Sequence, residues 1–310
     1  MRRALLAAAL ALAPAAALAA SASNGGVTLR RPLSSRAAGL GEAFAAVDGG
    51  ADSVGSNPAG AAAAKRPELL TTFTSGVSDD AFGFFGYVHP TKRGAAIAGL
   101  AYYDAGTFNA VDANGGQTTV VAQRDYVGTF GWALPLGGGL SVGALGKAYR
   151  FTLAQSASAS GFAGDAGARW ATPVPGLSLG ASLQNLGPGV KFETASDPLP
   201  LTARAGAAWT IESLAAPGEL TYYRGTRFLL TADVNKVRDE PGTGASGAEF
   251  TLDMGDATEI TLRGAYVYSA GNGGPSFGVG LREGRFTGDY ALLSKRDLGS
   301  VQNISLGVRF

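Results

Sequence analysis

Ile304, Leu306, Val308 and Phe310 fall on one parity at the end of this chain, and Asn303, Ser305, Gly307 and Arg309 fall on the other. A period of two marks a strand with one face in an apolar phase and the other in a polar one. The same alternation recurs from residue 68 onward in fourteen segments separated by turn chemistry. They are roughly 68–77, 80–88, 94–104, 122–134, 138–152, 160–172, 176–185, 201–211, 225–236, 247–254, 258–269, 275–283, 284–293 and 302–310. A soluble sandwich of so many strands lacks the residues to cover that much apolar face. In a bilayer every backbone group must find a partner, so only helices and closed barrels span it. The expectation is therefore an all-β fold, an antiparallel transmembrane barrel of about fourteen strands over 68–310.

The beginning of the chain agrees with export. Arg2 and Arg3 precede an Ala/Leu run, interrupted by Pro14, that ends in small residues around Ala17-Leu18-Ala19, so residues 1–20 read as a cleaved signal peptide. Without those two arginines, 23 basic residues face 24 acidic ones. Such a chain has no bulk field to draw nucleic acid. It has no cysteine for disulfides or thiolate ligands and has 47 glycines, a profile that places it in the outer membrane of a Gram-negative-type bacterium.

Connection lengths and tryptophans orient the barrel. The tight turns "HPTKRG", "PLGGG", "TPVPG", "MGDAT" and "REGR" belong to the periplasmic side, and "DAGTFNAVDANGGQTT", "NLGPGVKFETASDPLP" and "NKVRDEPGTGASG" to the outside. Residues 212–225, "ESLAAPGELTYYRG", are long where a short turn is expected, as a periplasmic excursion or a strand count off by two would make them. Trp132, Trp170 and Trp209 lie on apolar parities near periplasmic strand ends, and with Phe310 they predict an aromatic girdle at the membrane interface.

The opposite parity supplies the lumen: Asp125, Lys147, Asp165, Arg169, Arg204, Asp233, Arg263, Arg282, Arg285, Asp289 and Arg309. Charges of both signs in a narrow space are expected to pair. Residues 21–67 lack period two and read as a hatch in the lumen, with a short helix toward Glu42, Ala43, Phe44 and Val47 and a turn at Asn57-Pro58. The arginines of the last four strands are expected to hold that hatch through Glu42, Asp48 or Asp52. Catalysis is not expected, because the lone histidine, His89, precedes Pro90 in a predicted periplasmic turn and leaves a Ser-His-acid arrangement on a strand face without a base. No cofactor and no metal site is expected, since no ligand pair has metal spacing.

"RAAGLGEAFAAV", "SNPAG", "SLQNLGPGVKF", "DPLPLTARAGAAW" and the closing "DYALLSKRDLGSVQNISLGVRF" together resemble the PorV/PorQ family of outer-membrane proteins, which is related to the FadL-type barrels for long-chain fatty acids and other hydrophobic compounds. The resemblance implies a fourteen-stranded barrel whose hatch carries the motif Asn57, Pro58, Ala59 and Gly60, together with Glu42. Gly55-Ser56 and Ala61 depart from the bulkier residues common there, which implies a more loosely packed hatch. The activity implied is that of a type IX secretion accessory handling exported cargo proteins. The alternative is a FadL-like transporter of a hydrophobic small molecule. Outer-membrane lipid and, through the terminal aromatic, the barrel assembly machinery complete the expected partners.

Overall fold

The computed structural model describes residues 24–76, 80–111, 115–192, 196–214, 225–271, 273–295 and 299–310. The expected signal peptide lies outside them. Fourteen antiparallel strands form one closed barrel. In chain order they are β1 (Glu68–Ser75), β2 (Ala81–Thr91), β3 (Gly94–Asp104), β6 (Gln123–Gly137), β7 (Leu140–Leu153), β8 (Ala157–Ala171), β9 (Leu177–Leu186), β12 (Thr202–Leu214), β13 (Gly225–Val237), β14 (Thr243–Asp253), β15 (Thr258–Tyr268), β16 (Gly274–Glu283), β17 (Phe286–Lys295) and β18 (Gly299–Arg309). Two short hairpins stand outside the barrel wall, β4 (Thr107–Val111) with β5 (Gln117–Val121) and β10 (Val190–Lys191) with β11 (Ser196–Asp197). The seam is closed by β1 on β18, running from Glu68 opposite Arg309 to Ser75 opposite Gln302.

Closure satisfies the ladder, so the outer face is free to be apolar. Phe130, Phe162, Val234, Leu262, Phe277 and Leu306 all stand exposed on it, while the intervening residues are buried inward. That outer surface makes the chain a membrane-spanning barrel, although no helix among the described residues is long and apolar enough to cross a membrane. The five short turns lie at one end. Gly176 shows why they are glycine-rich: its φ is +76°, and a Cβ there would lie 2.0 Å from the Thr210 carbonyl oxygen. Trp132, Trp170, Trp209 and Phe310 point outward at that same end, and the Trp170 indole donates to the Gly138 carbonyl at 3.3 Å.

Two expectations are corrected, and one pair of alternatives is decided. β14 starts at Thr243 rather than 247, because pairing to both β13 and β15 carries "TGASG" despite its weak intrinsic strand preference. The loop after β3 holds the β4–β5 hairpin, whose flanking Ala105 and Ala122 continue the bonding above the wall. The long periplasmic connection costs no strands, since β12 runs on to Leu214 and pairs there with Gly225; residues 215–224 lie outside the described residues.

The interior is filled by residues 24–67. A short helix, α1 (Ser35–Gly39), is capped by the Ser34 hydroxyl, which accepts from the Arg36 and Ala37 amides. It stops well before Val47 because Gly41 and Glu42 both adopt positive φ, at 63° and 62°, and the expected helical spacing through Phe44 is not realised. A 3-10 turn over Pro58–Ala63 follows Asn57, whose side chain accepts from the Ala59 amide. Leu40, Phe44 and Val47 pack on inward Ala208 and Leu229, and Val54 and Ala61 pack on Phe82, Phe84, Ile97 and Phe151. The plug thus has two apolar faces, each against a different arc of wall.

Candidate functional site in the barrel lumen

Every lumen charge named from the sequence sits on the inner side of the wall or its rim, and most meet an opposite charge. Lys147 reaches Asp165 at 2.7 Å and the Asn185 side-chain oxygen at 2.9 Å. Arg169 reaches Asp48 at 2.8 Å and donates to the Ala46 carbonyl and the Ser178 hydroxyl. Arg204 reaches the Glu42 carboxylate at 2.9 Å and also bonds its carbonyl and Gln184. Asp233 accepts the Phe44 and Ala45 amides at 2.9 and 2.8 Å, and Asp125 accepts from Thr28 and Gln123.

The arginines of the last four strands do not take the hatch carboxylates. Arg263 bonds Glu249 at 2.7 Å and Asp289 at 2.6 Å, Arg282 bonds Glu259 at 2.8 Å, and Arg309 bonds Glu68 at 3.2 Å. Arg285 lies in the turn after β16, its guanidinium 5.0 Å from the Phe286 ring centre. Asp52 accepts from Ser34 inside the hatch itself. The reason is geometric: Glu249 and Arg263 are direct cross-strand partners in the β14–β15 register, so the wall neutralises itself first. The hatch is instead held by Arg169 and Arg204 and by an arginine of its own, Arg36, which sits on Glu249 through two bonds of 2.8 Å. Burial works against the Arg36 charge, yet the Glu249 carboxylate holds its pKa above the ordinary arginine value. Neither Glu249 nor Arg36 was among the lumen charges named from the sequence: the inward parity of Glu249 could have found it, whereas Arg36, in a segment without period, carried no signal.

The hatch motif is seated in the wall. The Asn57 side chain donates to Ala45 and Ala168 carbonyls at 2.6 and 2.9 Å, while Pro58 and Ala59 run along β7. A Cβ at Gly167 would lie 2.0 Å from the Asn57 oxygen, and one at Gly180 2.0 Å from the Ala45 carbonyl oxygen. Inward glycines therefore admit the hatch backbone directly against the strands. Small residues at Ser56 and Ala61 are buried in this contact, so the hatch is close-packed where looser packing was expected.

Toward the long loops, above the hatch, lies a cavity of about 280 Å³ bounded by Leu29, Glu42, Lys147, Asn185, Arg204 and Glu240. The arm before α1 roofs it, tied by Arg30 to Glu240 at 2.6 Å and by Arg31 to Asp80 at 2.7 Å. At this level the wall is interrupted. The β8–β9 register shifts between Gly164 and Ala166, Asn185 takes φ +60°, and Ser158–Ala163 pair with β7 but not with β9. Asp165, paired with β7 but skipped by the bulge on the β9 side, accepts the Asn185 amide at 2.8 Å and binds Lys147. On the lipid side of that region an apolar groove of about 540 Å³ opens between Phe130 and Phe162 over Gly128, Gly146 and Ala148. Lys147 borders both spaces. Among the described residues no group of three His, Cys, Asp or Glu side chains is placed to hold a metal ion.

No protein-family model matches the chain, and no curated protein does either. Solved structures do resemble it. The toluene transporter TodX of Pseudomonas putida is 12% identical over 84% of this chain and 94% of its own, with a TM-score of 0.52. A deletion mutant of TodX, a monoaromatic hydrocarbon channel, is 14% identical over 84% and 94%, with a TM-score of 0.50. A Pseudomonas aeruginosa FadL homologue is 11% identical over 88% and 98%, with a TM-score of 0.47. At such identity the likeness speaks to architecture alone: the chain has the fold of an outer-membrane barrel such as TodX.

Proposed function

We propose that this outer-membrane barrel transports hydrophobic small molecules in a FadL-like manner, from the outer cavity through the side of the barrel rather than through its lumen. The observation that carries this reading is the interrupted wall at β8–β9 beside the outer cavity, next to an apolar groove on the lipid face that lies over the continuous β6–β7–β8 ladder. The hatch makes an axial route costly, because an apolar solute would have to displace buried ion pairs and hydrogen bonds. Passage sideways returns the solute to hydrocarbon, where burial of its apolar area is favourable. No catalytic step belongs to this reading.

The chain has no cysteine, so a lock can be built where none interferes. Gly164 and Leu186 are register partners at the bulge, and Gly164→Cys with Leu186→Cys would tie β8 to β9. Toluene or fatty-acid uptake by cells carrying the oxidised variant should stop and should return on reduction. Uptake that continues with the bond intact removes the lateral route.

A second reading keeps to the sequence. Asn57, Pro58, Ala59 and Gly60, one of the five segments whose combination resembles the PorV/PorQ family, are a buried, wall-bonded part of the hatch. On that reading the barrel is an accessory of type IX secretion, and purification in mild detergent would retain exported proteins sharing a C-terminal domain. Retention of hydrophobic molecules without protein cargo would support transport instead.

A further inference from the structure

The periplasmic end of the lumen carries a second cavity of about 340 Å³, between the hatch at Gly49, Gly50 and Ala64 and the β16–β17 turn at Gly284. Six cationic side chains line it, Arg36, Lys65, Arg66, Arg282, Arg285 and Arg309, against only Asp48 and Glu68. Both carboxylates are committed, Asp48 to Arg169 at 2.8 Å and Glu68 to Arg309 at 3.2 Å and the Ala51 amide at 2.9 Å. Arg36 and Arg282 have their own acids in Glu249 and Glu259. Among the described residues, Lys65, Arg66 and Arg285 have no ion pair, and Arg282 Nε is buried with no hydrogen-bond partner. A concave, strongly positive site with unspent donors holds an anion well, and guanidinium forks suit phosphate in particular.

The position of the cavity identifies the anion further. Arg309 bonds Arg285 through its backbone at 2.8 Å, and the next residue, Phe310, is exposed at the same rim, as is Phe286, over which the Arg285 guanidinium lies. Cations on one side of this rim and exposed aromatics on the other match a molecule with a phosphate head and hydrocarbon tails. We infer that the periplasmic mouth is a phosphate site that holds the headgroup of a phospholipid from the periplasmic leaflet. The headgroup would bridge Lys65 and Arg66 of the hatch to Arg282 and Arg285 of the wall.

The test uses the full mature chain in a zwitterionic detergent, titrated calorimetrically with dihexanoyl-phosphatidylglycerol and, separately, with inorganic phosphate. Saturable binding of the short phospholipid is expected, weakened about tenfold or more in Lys65→Gln/Arg66→Gln/Arg285→Gln, as the loss of even one charge-assisted contact would give. Those three side chains are exposed, and an unchanged circular dichroism spectrum and heat-modifiable gel mobility would show the variant folded. Arg285→Lys should retain more affinity than Arg285→Gln. Phosphate binding as tight as that of the phospholipid would overturn the lipid and leave free phosphate as the ligand. No saturable binding by either probe, or equal binding by the triple variant, would overturn the site.

Discussion

Arg36 of the hatch and Glu249 of β14 meet through two hydrogen bonds of 2.8 Å at a point where Arg263 already shares the same carboxylate. One nearly inaccessible carboxylate thus joins plug to wall, with Asp289 balancing the second arginine.

Replacing that carboxylate leaves two guanidinium groups facing each other without an anion between them. Glu249→Gln should destabilise the barrel by roughly 3 kcal/mol or more and expose the hatch to protease. Urea unfolding followed by gel mobility, with limited proteolysis mapped to residues 34–67, measures both. A variant with wild-type stability and a protected hatch would show that the shared carboxylate is not the joint.

The glycines under the hatch make a different prediction. Gly167→Leu should lift Asn57 off β8, cost about 1–3 kcal/mol by overpacking and raise single-channel conductance in planar bilayers. The control is Gly264→Ala, at an outward glycine with no other atom within 4 Å of where a Cβ would sit, which should leave conductance unchanged.

Asn57 bonds the hatch to itself and to β8. Asn57→Ala should cost about 1 kcal/mol for the lost cap and more for the Ala45 and Ala168 carbonyls left unbonded. A denaturant series read against Asn57→Asp would separate them, because Asp keeps the capping oxygen but cannot donate.

Lys147 and Asp165 form a buried pair at the wall bulge. Asp165→Asn alone should destabilise by roughly 3 kcal/mol, while Lys147→Met with Asp165→Leu should recover most of that loss. If the pair also governs the lateral route, the double variant will change hydrophobic uptake while keeping wild-type stability. Uptake equal to wild type would leave the pair as scaffold.

The wall was readable because a barrel strand repeats one decision every two residues. Tyr126, Phe130 and Trp132 show it in β6, and the outward and inward sets of β18 show it down to the last residue. Strand ends were harder wherever pairing on both sides overrides weak local preference, as at Thr243–Gly247 in β14. The hatch was the least legible part. Its conformation depends on positive φ at Gly41 and Glu42 and on bonds to strands more than a hundred residues away, such as Asn57 to Ala168 and Arg36 to Glu249. The lateral bulge left only the polar run Gln184-Asn185 as a trace, and a polar pair near a strand end has many ordinary explanations.

At the seam, the Thr72 hydroxyl of β1 shares a 2.7 Å bond with Ser305 of β18 while also donating to the Leu33 carbonyl, and Ser305 in turn bonds both the amide and the hydroxyl of Ser35. The zipper between first and last strands is therefore threaded through the plug. Residues 24–33 lie toward the outer mouth and Pro67 at the inner one, so the segment between runs the length of the interior. Sealing the cylinder and stoppering it are therefore coupled in energy, and an empty cylinder would forfeit the bonds that Leu33 and Ser35 add to its seam.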